Sequence, residues 1–87
     1  MSNGWIQRPD FEESVKHDKG IDAVVEQYWE KSDRYINRIS YLDKQVLLRE
    51  QMDKGVTSFV NLIIGDTCEN FKTYKEAEDK AFEYLKG

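Results

Sequence analysis

The feature of this sequence that most constrains its fold is an apolar period that begins near Asp22. Apolar and small residues recur there in alternating steps of three and four, which is the spacing of one face of an α-helix. Trp29 and Ile36 widen this stripe, as expected for a helix packed against two neighbours. The pattern therefore predicts a helix over about residues 22–39. The recurring positions are Val25, Tyr28, Ser32, Tyr35, Ile39 and Leu42.

Capping signals predict a helix near each end of the chain. Asp10 begins a capping box in which an acidic residue follows three positions later, and this predicts a short helix over about residues 10–18. Thr73 begins a second capping box, followed by an apolar face that predicts a final helix over about residues 74–86.

The segment of residues 41–64 also has apolar residues at helical spacing, and it predicts a third long helix. Gly55 and the β-branched pair after it weaken this prediction. The alternative ends the helix at Gly55 and makes residues 56–64 a strand. Because no other segment has strand character, such a strand would have to pair with another subunit.

Together these segments predict an all-α fold, a small bundle of three to four helices in a single domain over residues 1–87. Residues 1–9 precede the first helix. They are expected to form an extended arm, because Pro9 disfavours helix in the residue before it. Trp5 and Ile6 are its apolar anchors, docked on the core of this chain or on a neighbour.

The chain of 87 residues contains one cysteine, Cys68, and one histidine, His17. A disulfide within the chain and a Cys/His metal site are therefore excluded, and no cofactor is expected. Small domains without such cross-links often gain stability by oligomerisation. We therefore expect a homo-oligomer.

The charge of the chain argues against several classes of partner. Seventeen acidic and thirteen basic residues give a formal net charge of −4, so binding to duplex DNA and a helix-turn-helix regulator are not expected. The sequence has neither a membrane-spanning apolar run nor a signal-peptide pattern, so we expect no membrane association and a cytoplasmic location.

The clearest polar pattern is a basic stripe formed by Lys31, Arg34 and Arg38, which Tyr41 extends. On a helix these residues would share a face and could bind a small anion such as a nucleotide. The alternative is an ordinary solvated face, because Glu30 lies four residues before Arg34 and mixed charges at this spacing are common on exposed helices.

The chain contains no combination of residues that points to catalysis. Its acidic pairs lie on faces predicted to be exposed, its five glycines form no phosphate-binding loop, and His17 has no companions for acid–base chemistry. We therefore expect a protein that is not an enzyme.

Aromatic residues make up 13% of the chain, more than a core of this size needs. Trp5, Tyr41, Phe82 and Tyr84 are predicted to lie at an interface, where large side chains with few rotors are favoured. The leading functional hypothesis is a small interaction protein acting through a helical surface. It would be an adaptor, inhibitor or regulator, of the kind that bacterial viruses use as accessory proteins. The alternative is an oligomer that sequesters a small anionic ligand.

Overall fold

A computed structural model of the chain describes residues 14–87 and, as backbone only, Ile6 and Gln7. These residues form one antiparallel sheet and one helix. The strands are β1 (Ile6–Gln7), β2 (Ser14–Asp18), β3 (Ile21–Lys31), β4 (Arg34–Tyr41), β5 (Lys44–Asp53), β6 (Val56–Ile64) and β7 (Thr67–Phe71), and the helix is α1 (Tyr74–Lys86).

The strands from β2 to β7 form a meander in which each strand pairs with the next. The two-residue strand β1 also pairs with β3, through Ile6 and Gln7, so β1 and β2 share one edge of the described sheet. The other edge is β7. We call the face against which α1 packs the inner face, and the opposite face the outer face.

Two-residue turns join the strands of the meander and set their register. Both residues of Lys19-Gly20 and of Lys54-Gly55 have positive φ, the type I′ geometry whose twist matches that of hairpin strands. At Gly55 φ is 82°, which glycine adopts without strain. These turns recur about every eleven residues, a spacing typical of an all-β domain.

The prediction of an all-α helical bundle is wrong. Residues 22–39 form β3 and β4 around a turn at Ser32-Asp33, and residues 41–64 form β5 and β6 around Lys54-Gly55. The alternation expected of strands is obscured because the outer face is not purely polar: Ile36 lies there and has no exposed surface. The apolar spacing of three and four therefore came from residues on both faces of two strands.

The remaining segments give mixed outcomes. The described part of residues 10–18 is the strand β2, so a helix there is also wrong. The alternative of a strand over residues 56–64 is right, but its partners are β5 and β7 of the same chain, and no second subunit is needed. The helix predicted over residues 74–86 is confirmed, with the Thr73 hydroxyl accepting a hydrogen bond from the Glu76 amide at 3.3 Å.

The core lies between α1 and the inner face of the sheet. Alternate residues of β3, β4, β5 and β6 supply its floor, and one stripe of α1 covers it. Burial of this apolar surface is the main source of stability for a chain without a disulfide. The core residues are Ile21, Ala23, Val25, Ile39, Val46, Leu48, Val60, Leu62, Ala77, Ala81, Phe82 and Leu85.

Candidate functional site

A chain of polar side chains crosses the inner face beside the core. Gln27 donates a hydrogen bond to the Asn37 side-chain oxygen at 2.7 Å, and Asn37 donates to Glu50 at 2.9 Å. Asn37 also donates to the Leu48 carbonyl at 3.3 Å, and the Thr57 hydroxyl donates to the second Glu50 oxygen at 2.9 Å. Asn37 is only 2% exposed, so these bonds offset the cost of removing its amide from water.

The same polar chain borders a cleft of about 300 Å³ between the sheet and the start of α1. Lys16 of β2 bonds to the Glu78 carboxylate of α1 at 2.7 Å, which ties the sheet edge to the helix. Burial, and then the charges of Glu78 and Glu50, raise the pKa of the Tyr74 phenol above its ordinary value of 10.0. Tyr74 therefore stays protonated at neutral pH and can only act there as a neutral hydrogen-bonding group.

The polar groups of this cleft mostly satisfy one another. Asn37, Glu50 and Glu78 each have a protein partner, and within the described residues no three His, Cys, Asp or Glu side chains are grouped to hold a metal ion. We interpret the polar groups of the cleft as structural contacts that hold the helix against the sheet.

The outer face carries ion pairs between arginines and glutamates. Arg38 Nη2 lies 2.6 Å from Glu26 Oε1 and donates to the Tyr28 hydroxyl at 2.7 Å. The hydrogen bond to Glu26 raises the pKa of the Arg38 guanidinium. Arg49 Nε lies 3.2 Å from Glu30 Oε1. The charges of these arginines are thus met by carboxylates of the same sheet.

The predicted basic stripe does not form one site. Arg34 and Arg38 share the outer face of β4, and Arg34 Nη1 lies 3.5 Å from Glu30 Oε1. Lys31 is exposed at the end of β3, opposite Arg34 in the register. Tyr41 is an odd number of residues from both arginines, so it lies on the inner face, packed against the core.

The free edge of the sheet is β7. Of the strands that the structure describes, only β6 pairs with it. Ile64 and Thr67 close the two-residue β6–β7 turn, and such a pair exchanges backbone hydrogen bonds. Hydrogen-bonded pairs alternate along an antiparallel ladder. The backbone N–H and C=O groups of Cys68 and Asn70 therefore point away from β6, in the plane of the sheet, towards its open edge.

A groove of about 360 Å³ runs beside this edge, between β7 and α1. Leu62 and Ile64 form its apolar floor, and Glu69 of β7 lines one wall. The helix wall carries Lys80, Glu83 and Tyr84. An open strand edge next to a groove with an apolar floor is the geometry by which several domain families bind an extended peptide.

Two side chains with exposed apolar surface lie on α1 and in the turn before β5. Tyr84 is 41% exposed, and its ring lies 5.2 Å from the Lys44 ammonium group, which also donates to the Tyr84 carbonyl at 3.2 Å. Leu42, in the turn before β5, is 85% exposed and has φ of 55°. A large side chain rarely adopts that conformation. Because the leucine side chain is exposed, burial of its apolar surface does not stabilise this conformation.

The residues predicted to form an interface occupy different environments. Tyr84 lines the groove beside β7 and is partly exposed. Phe82 has no exposed surface and belongs to the core, while Tyr41 is partly buried against that core. Trp5 lies outside the described residues.

Sequence reasoning missed Glu69 and the outward backbone groups of Cys68 and Asn70, because none of the predicted elements covered this segment. The signal was present in Gly65-Asp66, two turn residues between a β-branched run and Thr67.

Comparison with protein-family models, with curated proteins and with solved structures found no match. In the described part of the chain, no helix has both the length and the apolar character needed to cross a membrane.

Proposed function

We propose that this protein is a non-enzymatic interaction protein, an adaptor, inhibitor or regulator, that binds an extended segment of another protein by adding it to the sheet at β7. The observation that carries the proposal is the coincidence of two features. The outward backbone groups of Cys68 and Asn70 lie at the rim of a groove whose floor is apolar. Backbone hydrogen bonds would supply affinity, and side-chain contacts in the groove would supply selectivity.

Tyr84 supports this choice of edge over the other one. A partly exposed tyrosine beside a groove is the type of residue that dominates binding energy at interfaces. At the opposite edge, Lys16 points inward and is already bonded to Glu78, an arrangement that blocks further strand pairing.

The alternative function, sequestration of a small anionic ligand, has less support. Arg34 and Arg38, the arginines of the predicted site, already contact Glu30 and Glu26, so an anion would have to displace carboxylates from both guanidinium groups. An increase in melting temperature with millimolar nucleotides would support this alternative.

Selection of peptides from a random displayed library on the immobilised protein tests the proposal. The selected peptides are expected to bind the wild type, and to lose at least about tenfold in affinity for Asn70→Pro, which removes one outward N–H. Val15→Pro is the matched control on the opposite edge, because Val15 has the same outward position in β2. The affinity of the selected peptides for Val15→Pro is expected to equal their affinity for the wild type.

Hydrogen exchange on the wild type provides a second measurement that needs no variant. Bound peptide is expected to slow exchange of the Cys68 and Asn70 amides. Selection of no binding peptide, or of peptides that bind Asn70→Pro as well as wild type and leave both amides unprotected, would show the proposal to be wrong.

A further inference from the structure

We propose that the segment bound at β7 runs antiparallel to it, carries a lysine or arginine opposite Glu69, and carries a large apolar residue two positions later. This inference rests on the proposed function and specifies the partner's chemistry. An antiparallel ladder is slightly more stable per residue than a parallel one, and every other pair in the described sheet is antiparallel.

The preference for a basic residue comes from Glu69. It faces the groove from the inner side of β7. From α1, Glu83 adds a second carboxylate to the lining, and Lys80 is its single basic residue. In an antiparallel partner, the residue opposite Glu69 forms a pair without backbone hydrogen bonds, in which side chains are closest. A basic side chain there is attracted to Glu69, and the formal charge of −4 on the whole chain favours a cationic segment.

The preference for an apolar residue comes from the end of the groove near Thr67. Two residues after the basic position, the partner side chain lies opposite Thr67 and faces the inner side again. Ile64, the cross-strand neighbour of Thr67, and Tyr84 both line the groove there. A leucine or larger apolar side chain at this position removes apolar surface of Ile64 and Tyr84 from water.

The same geometry disfavours a second copy of this chain as the occupant. Two copies of β7 use the outward groups of both Cys68 and Asn70 when Cys68 of each faces Asn70 of the other. That register places the two Glu69 carboxylates directly opposite each other, and like charges at such a position are destabilising. The bound segment is therefore assigned to a different protein.

Cys68 provides a direct test of direction and register. Its side chain is exposed. Cys68 lies between Thr67 and Glu69, whose side chains face the inner side, so the Cys68 side chain projects from the outer face. The proposal places it opposite the partner residue that follows the basic one. A hydrogen-bonded antiparallel pair has Cα atoms about 5.5 Å apart, within the range that a disulfide spans.

The experiment uses two synthetic peptides, SVTKCLS and SVCKTLS, incubated with the protein and oxidised glutathione, with the disulfide-linked product measured by intact mass. SVTKCLS puts cysteine opposite Cys68, whereas SVCKTLS puts it opposite Asn70. We expect roughly tenfold more linked product from SVTKCLS. Equal amounts from both peptides, or more from SVCKTLS, would overturn the antiparallel register.

A charge exchange tests the basic residue. Replacing lysine by glutamate, in SVTECLS, is expected to lower the yield with wild type about tenfold and to raise it with Glu69→Lys. Replacement of leucine by serine is expected to lower the yield as well, and Tyr84→Ala to remove that difference. If the yields of linked product do not change when the charges are exchanged, this inference is wrong. The proposed function is tested separately: it is wrong if selected peptides bind Asn70→Pro as tightly as the wild type.

Discussion

Among the residues that the structure describes, Tyr74 is the one whose pKa the fold shifts most. Its ring packs against the core, and its phenol borders the cleft that contains Glu50 and Glu78. Burial and these two charges raise its pKa, so the folded state favours the neutral phenol. A group whose pKa is raised by folding stabilises the protein below its unfolded pKa, and this contribution is lost as the pH rises from that value towards the folded pKa.

We therefore predict that Tyr74→Phe changes the pH dependence of stability. Near pH 7 the variant and the wild type should have similar free energies of unfolding. Above about pH 10 the wild type should lose stability relative to the variant, by up to about 1.4 kcal/mol per pH unit. Urea denaturation followed by tryptophan fluorescence at pH 7, 9 and 10.5 measures this difference.

The control for this experiment is Tyr84→Phe, which removes the hydroxyl of a partly exposed tyrosine on the same helix. A difference between wild type and Tyr74→Phe that stays constant over the pH range would contradict the role assigned to burial of Tyr74.

Residue types predicted some local properties but not neighbours across the sheet. Tyr84 and Phe82 were both predicted at an interface from their chemistry, yet Tyr84 is partly exposed beside a groove and Phe82 has no exposed surface. Asn37, by contrast, is buried because β3 and β5 bring Gln27 and Glu50 to either side of it. No spacing along the chain contains that information, because these partners are more than nine residues apart.

At the scale of elements, the turns decide the fold. Lys54 has φ of 53°, a left-handed conformation in which lysine is strained and asparagine is tolerated. Gly55 follows with φ of 82°, and a methyl group there would meet no other atom within 4 Å. A methyl group at Gly55 therefore tests the backbone conformation without a new steric clash.

We predict opposite effects for two substitutions in this turn. Lys54→Asn should raise the free energy of unfolding by about 0.5 kcal/mol, because Asn-Gly is the preferred type I′ pair. Gly55→Ala should lower it by about 1–2 kcal/mol, the cost of a left-handed conformation for a residue with a side chain. Urea denaturation at pH 7 measures both.

A control for these two substitutions has to lie away from the turn and its neighbours, because nearby Thr57 bonds to Glu50. Exposed Lys72, outside the strands, provides one through Lys72→Asn. If Gly55→Ala were as stable as the wild type, the type I′ geometry of this turn would be wrong.

At the scale of the whole molecule, the two sheet edges govern association. Lys16 protects one edge by pointing inward to Glu78. On the other edge, Glu69 is the charged residue of β7 that faces inward, and it opposes pairing with a second copy. The expectation of a homo-oligomer stays a prediction, and the β7 edge is a disfavoured place for its interface.

We predict that Glu69→Val increases self-association relative to the wild type. The substitution removes the carboxylate that would face its own copy and adds a β-branched residue to an open edge. Sedimentation velocity over a range of concentrations should show a larger fraction of dimer. Adding Asn70→Pro to the same chain should reverse the increase, and an unchanged dimer fraction in Glu69→Val would contradict the protective role of Glu69.

The sequence by itself determined the features that depend on neighbours along the chain. The capping box at Thr73 placed the final helix, and Gly55 with the β-branched pair after it gave a correct strand over residues 56–64 as an alternative. The composition also excluded a disulfide within the chain and a Cys/His metal cage, because the chain has one cysteine and one histidine.

The tertiary structure alone decided between helix and strand for residues 22–39 and 41–64. Their apolar residues fit either period, because both faces of the sheet bury apolar side chains. Only the pairing of successive strands through tight turns, and the packing of α1 on one face, selected the sheet. The groove beside β7 arises from the same packing, since Glu69, Lys80 and Ile64 meet only after the chain has folded.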